Sequence, residues 1–300
     1  MRWDDVNCGR MSQAMCYMMY AEMVMYQKDT SRYATALQYM QEIINDKNEY
    51  GIMDDFASIW KNSGEWCKES IWEVNYEIGF SERSWSNPQG IGGTVLPTLI
   101  SPNSWPGGEG WDAGANGWGF MPVRTETYNM FASNDKRRDA TVWDCRGVEY
   151  TKRYQDTGFW LGKYRPYTEN NATSGDKDLN YNNNLRVYRV AEAYLNAAEL
   201  LLETGGDATK AKDYVNVIRR RAGIAELGAV TVDDVINERH LEFVGEGKRY
   251  FDLVRTGKAA SVLVPDEHGY RTNSWTESKK YIPIAQAELD SDPALVQNNY

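Results

Sequence analysis

Three hundred residues with 33 Lys and Arg against 43 Asp and Glu, a formal net charge of -10, supply enough apolar material for one large domain or two small ones. The acidic surplus sets nucleic acid and anionic membrane surfaces aside as partners. No apolar run reaches the ~18 residues of a membrane helix, and nothing basic and then apolar precedes Asn7 as a signal peptide would.

In chain order, Gly9 to Gln27 reads as a helix. Met11, Ala14, Met15, Met18, Met19, Met23 and Met25 give it a broad apolar face, taken as core because a Met stripe at helical spacing is most often buried. Asp29 to Ser31 make the turn into a partner helix, Tyr33 to Asn45. Beyond Tyr50 the pattern changes, and Trp72, Val74 and Tyr76 alternate in a strand over Ser70 to Tyr76. Residues 79–119 hold ten glycines, four prolines and four tryptophans with a single arginine and no lysine. Disordered segments are poor in aromatics, so this reads as an ordered, functional loop. A short helix follows over Arg124 to Ser133. Mixed strand and loop follow over Asp135 to Asp144 and Thr151 to Tyr167, and an exposed asparagine-rich connector over Asn170 to Asn184.

The 72 residues from Asn184 to Arg255 organise the rest. Val187, Val190, Ala191, Tyr194, Leu195, Ala198, Leu201 and Leu202 form one helical stripe, ended by Gly205 and Gly206. Asp207 caps a second helix carrying Ala211, Tyr214, Val215 and Ile218, up to Ala222 and Gly223. A third opens at Thr231 with Asp234 completing a capping box, and charge crosses its stripe up to Arg255. Ala14 and Ala21 repeat the spacing of Ala191 and Ala198, with Ala36 and Ala211 in the partner helices. The pattern reads as two copies of a tetratricopeptide-like helix pair, over 7–46 and within 184–256.

Four cysteines, Cys8, Cys16, Cys67 and Cys145, have no paired short spacing and read as core thiols; His240 and His268 leave little for a histidine-based metal or nucleophilic site.

The strings AEAYLNAAELL, AKDYVNVIRRRAG and INERHLEFVGEGKRYFDLVRTGK, with Gly9, Arg10 and Ala14 opening a helix, GWG at Gly117 to Gly119, Asp135, Arg137 and the tail YIPIAQAEL to QNNY, resemble the SusD/RagB family of Bacteroidetes surface lipoproteins. The resemblance implies one mostly α domain over 1–300 of tetratricopeptide-like helix pairs (a SusD-like α/α superhelical scaffold) with minor β, an aromatic loop-rich insertion over 79–170 and an extended tail over 257–300. It implies an outer-membrane, surface-exposed location through a lipid anchor not present in this chain, and the chain reads as N-terminally truncated. It implies non-catalytic glycan binding for nutrient uptake and a SusC-like TonB-dependent transporter as partner.

Four of the eleven tryptophans, Trp85, Trp105, Trp111 and Trp118, fall in the glycine-rich loop. A sugar presents a C–H face that lies flat on an indole, while polar side chains bond its hydroxyls. The tryptophans are the candidate glycan platform, with Asn116, Asp112 and Arg124, and also Asn87, Asn103 and Glu109, as polar partners. No cofactor is implied. Asp112, Asn116 and Glu109 are oxygen donors of the kind calcium takes, without a ligand spacing that specifies it.

Two other functions compete. Glu238 and Glu242, at i and i+4, are the acid pair a glycoside hydrolase would need. Interleaving of Glu238, Glu242, Glu246 and Asp252 with Arg239, Arg249 and Arg255 favours a structural ion-pair network that keeps acids ionised. A tetratricopeptide adaptor, or a peptide-capturing SusD homologue, is the other alternative, and the wide sequence separation of the two hairpins argues against a simple solenoid.

Overall fold

The computed structural model describes residues 8–79, 83–87, 90, 92–105, 117–172 and 176–299. It is 44% helix and 9% strand, with two compact units, residues 1–248 and 249–300.

Helix α1 (Gln13–Gln27) starts at Ser12, whose Oγ accepts the Met15 N–H, and ends at Lys28 with φ 53°. Helix α2 (Tyr33–Asn45) runs back against it. Strand β1 (Ser70–Val74) is followed by α3 (Leu96–Ile100), α4 (Thr125–Met130), α5 (Arg137–Thr141), β2 (Val142–Asp144), β3 (Phe159–Leu161) and β4 (Leu185–Arg189). Then come α6 (Val190–Glu203), α7 (Ala208–Ala222) and α8 (Val232–Glu242). The second unit holds α9 (Arg249–Arg255), α10 (Ala259–Val262) and α11 (Gln286–Ser291), so short helices interrupt the extended tail.

Helix α6 is the hub. Twelve of its fourteen residues are buried, and α2, α7 and α8 all pack on it. Ala14, Ala21, Ala36, Ala191, Ala198 and Ala211 have no exposure at all, as expected where small side chains let helix backbones approach. The two hairpins, distant in sequence, therefore join into one helical layer through the α2–α6 seam. Sequence separation did not keep them apart, because the chain between them leaves the layer and returns. Local signals set the helix ends: Asp207 accepts the Lys210 N–H, Gly223 takes φ 76°, and Thr231 and Asp234 form a reciprocal capping box.

Several expectations are corrected. Val187 lies on a strand, not a helix: β4 pairs antiparallel with β1, Trp72 opposite Tyr188 and Glu73 opposite Arg186, and the helix begins only where Val190 N–H reaches Glu69 O at 2.8 Å. The third helix stops at Glu242, because Gly245 and Gly247 adopt φ 80° and 77°, and restarts as α9. Only one side of α1 is core: Met15, Met18 and Met25 are buried, whereas Met19 and Met23, on the opposite face, are 37% and 65% exposed, and Met11, ahead of the helix, is 60% exposed. Of the cysteines only Cys145 is buried; Cys16 is exposed.

The asparagines of the connector are also largely buried. Asn170, Asn180, Asn183 and Asn184 are at most 5% exposed. Asn170 donates to Asn62 and Asn182 at 2.7 and 2.8 Å, and Asn184 donates to Glu73 and Asn75, both at 3.0 Å. Side-chain amides here replace the ladder bonds that an irregular buried segment lacks.

Candidate functional site

The GWG motif owes its glycines to close backbone approach. A Cβ on Gly117 would lie 2.2 Å from the carbonyl oxygens of Ser101 and Pro102, and one on Gly119, at φ 65°, would lie 2.8 Å from Arg153 Cγ and 3.0 Å from the Trp160 ring. With no side chains there, the strip lies along the end of α3. Trp118, Gly119 and Phe120 donate their N–H groups to Thr98, Ser101 and Leu99 carbonyls at 2.9, 3.0 and 2.9 Å. The residues between and beyond the glycines are thereby presented outward.

Trp118 packs between two rings, with Trp85 at a centroid distance of 5.8 Å and a tilt of 33°, and Phe120 at 5.7 Å and 64°. Trp85 is 57% exposed, Phe120 64% and Met121 42%. Three non-coplanar aromatic faces thus form a solvent-facing ridge. Trp85 is held from below: its N–H donates to Asp176 at 2.9 Å, and the neighbouring Arg83 exchanges two hydrogen bonds with the buried Asn180 amide, each 2.8 Å. The Arg83 guanidinium also donates to the Gly92 and Gly93 carbonyls, so the glycine turn and the Trp85 turn are tied together.

The other candidates fall elsewhere. Trp105 is a core residue, 7% exposed, edge-on to Trp143 at 4.4 Å in a cluster with Cys145 and Trp160, and presents no face to a ligand. Arg124 precedes α4 with its guanidinium 3.6 Å from Glu126. Asn87 is exposed beside Trp85, while Asn103 accepts the Ser104 hydroxyl at 2.7 Å. Trp111, Asp112, Asn116 and Glu109 lie outside the described residues. Phe120 and Met121 are members of the ridge that sequence reasoning missed; their position directly after GWG was the available signal.

The charged helix does not form a cleft. Glu242 is fully buried and meets three guanidinium groups: Arg221 at 2.6 Å, Arg189 at 2.9 Å and Arg137 at 3.1 Å. Glu246 takes Arg189 at 2.8 Å and Lys163 at 2.5 Å, and Glu238 takes Arg137 at 2.6 Å and Arg219 at 2.8 Å. Glu69 joins through Arg189 at 2.6 Å. Burial alone would raise the Glu242 carboxyl, but Arg221, Arg189, Arg137 and Lys163 outweigh it and hold the group far below the usual carboxylate range. Burial pushes the Lys163 ammonium down to about 8 against the pull of Glu246. A general acid needs the opposite shift from that of Glu242. Of the arginines expected in this network, Arg239 bonds Asn196 at 2.6 Å and Glu192 at 3.2 Å. In the second unit Arg255 pairs with Asp252 at 2.8 Å, and burial lowers the Arg249 guanidinium, opposed only in part by Asp252. Among the described residues no group of His, Cys, Asp and Glu is arranged to hold a metal ion, and no helix is long and apolar enough to cross a membrane.

Comparison with known proteins places this arrangement. The chain is 60% identical to surface glycan-binding protein A from Bacteroides uniformis, with a TM-score of 0.87, covering 99% of this chain and 63% of that one. It is 53% identical, with a TM-score of 0.91, to surface glycan-binding protein A from Bacteroides thetaiotaomicron in complex with laminarihexaose, covering 100% of this chain and 66% of that one. SusD-like protein P25 of Formosa agariphila is 25% identical over 337 residues, 99% of this chain and 60% of that protein. The chain therefore spans less than two thirds of the length of these relatives, which are named for binding or for their family rather than for a reaction. The model of the SusD family matches residues 141–300, more than half of the sequence, and the chain belongs to that family.

Proposed function

We propose that this chain binds a β-1,3-linked glucan of the laminarin type on the Trp85–Trp118–Phe120 ridge, without catalysis. The observation that carries the reading is the ridge itself: three aromatic faces, two of them more than half exposed, with Trp118 and Phe120 on a strip whose glycines leave no room for side chains. Apolar C–H faces of glucose stack on such rings, and the successive tilts suit a chain that curves. The laminarihexaose complex of a relative 53% identical supports the ligand class, as does a laminarin binding SusD-like protein 30% identical over 99% of this chain. The neutral ligand needs no charge partner, which agrees with the absence of a cation from the ridge-forming side chains.

Membership of the family supports the reading that the chain works at the outer face of the outer membrane and hands oligosaccharide to a SusC-like TonB-dependent transporter. Non-catalytic action is supported by Glu242 being held ionised among arginines, so that the strongest acid pair in the sequence serves the scaffold.

The test is affinity electrophoresis of the chain through gels containing laminarin, with the Trp85→Ala and Trp118→Ala variants alongside and a reducing-sugar assay on the same samples. Retardation lost in both variants, with no sugar released, is the expected result. A native chain that no β-glucan retards overturns the ligand assignment, and release of reducing sugar overturns the non-catalytic one.

A further inference from the structure

We propose that Tyr154 is a second wall of the same ligand face, contributing a stacking ring opposite or beside the ridge; the inference rests on the glycan reading. Tyr154 is 87% exposed, the most open of the large apolar side chains among the described residues, so it adds nothing to the core.

Yet the loop that carries it is built with care. Asp156 gathers three donors, the Tyr150 hydroxyl at 2.7 Å, the Gly158 N–H at 2.7 Å and the Arg153 N–H at 3.2 Å. Gln155, directly after Tyr154, sits at φ 60°, a left-handed conformation that costs a non-glycine residue roughly 1 kcal/mol or more. Tyr150, not Tyr154, supplies the internal tie. A strained turn that displays a ring to solvent serves something outside the loop.

The loop also lies against the strip that carries two rings of the ridge. Thr151 N–H donates to Asn103 O at 2.8 Å, the Thr157 hydroxyl donates to Val123 O at 2.6 Å, and Val123 N–H donates to Phe159 O at 2.7 Å. Between the Thr151 and Thr157 stitches, Arg153 Cγ occupies the space a Gly119 side chain would need, and Gly119 is the residue between Trp118 and Phe120. Tyr154 is thus the next residue after the one that meets Gly119, preceded by the exposed Lys152 and Arg153, whose donors suit sugar hydroxyls. A glucan lying on the tilted rings reaches the loop at its edge.

The experiment is calorimetric titration of native chain, Tyr154→Ala, Tyr154→Phe and Trp118→Ala with laminarihexaose, together with the Tm of each. A stacking ring is worth about a threefold to tenfold change in Kd. Tyr154→Ala is expected to weaken binding by that factor at unchanged Tm, and Tyr154→Phe to stay within twofold of native. If Tyr154→Ala binds as native does while Trp118→Ala fails, the second wall is refuted and the glycan reading stands. If the native chain does not bind, both fall. Loss shared by Tyr154→Phe, or a fall in the Tm of Tyr154→Ala, equally refutes a stacking role.

Discussion

Replacing Glu242 with Gln tests whether the charge cluster holds the scaffold together. The carboxylate has no exposure and receives hydrogen bonds from Arg221, Arg189 and Arg137. An amide of the same shape offers one acceptor oxygen and turns two donors toward guanidinium groups that cannot accept. Three buried cations then share fewer anions. Removing one partner of a buried pair costs about 3–5 kcal/mol, and this carboxylate serves three, so about 4 kcal/mol is a conservative expectation. For a unit of this size that lowers Tm by roughly 10 °C. The assay is thermal and urea unfolding followed by near-ultraviolet circular dichroism, with Glu226→Gln as the reference. Glu226 pairs with Arg220 at 3.0 Å with both side chains about half exposed, and its loss is expected to cost under about 0.5 kcal/mol. The pH profile gives an independent readout. The folded Glu242 carboxyl titrates below its ordinary value of 4.5, so its stabilisation is present above that value and is lost as pH falls from 4.5 toward the folded value, where the unfolded chain binds the proton and the native chain does not. The native protein should therefore lose stability with a steeper slope below pH 4.5 than Glu242→Gln. A Glu242→Gln variant within 1 kcal/mol of native, or parallel acid profiles, refutes the argument.

Two further outcomes separate core from ligand face. Trp105→Ala removes a buried ring from the cluster with Trp143 and Trp160 and is expected to destabilise by about 3–5 kcal/mol while the folded fraction still binds laminarin; a variant of native stability with impaired binding would place Trp105 on the ligand face after all. Gly119→Ala forces a methyl group against Arg153 and Trp160 at φ 65°, so laminarihexaose affinity should fall by about tenfold or more, in step with roughly 1–3 kcal/mol of lost stability; unchanged affinity by calorimetry would show that the strip does not need this backbone path.

What was legible in the sequence was local. Helix α7 is capped by Asp207 and Gly223, and α8 by Thr231, as read, because a cap acts over three or four residues. The alanine pattern identified the helices that approach closely. What failed depended on distant partners. Leu185 to Arg189 fits a helical turn as well as a strand, and only β1, more than a hundred residues earlier, decides for the strand. The acids at the end of α8 and just beyond it suggested pairing with neighbours in sequence, yet Glu242 and Glu246 draw their cations from Arg137, Lys163, Arg189 and Arg221. Four tryptophans in one loop looked equivalent; Trp105 and Trp118 are thirteen residues apart, and tertiary contacts send one inward and the other out. The family resemblance foretold the fold but could not distinguish them.

The α2–α6 seam has a consequence for biogenesis. About 145 residues separate the end of α2 from the start of α6, and at ~5–20 residues per second a ribosome takes roughly 7–30 s to deliver them. Throughout that interval the α1–α2 hairpin has an uncovered apolar side, including Met40, Ile43 and Ile44, which the finished structure buries. Closing so long a loop costs about 4 kcal/mol in chain entropy, so the seam forms late and all at once. Nascent chains that stop before Val190 keep that surface uncovered, and fragments ending there are expected to aggregate.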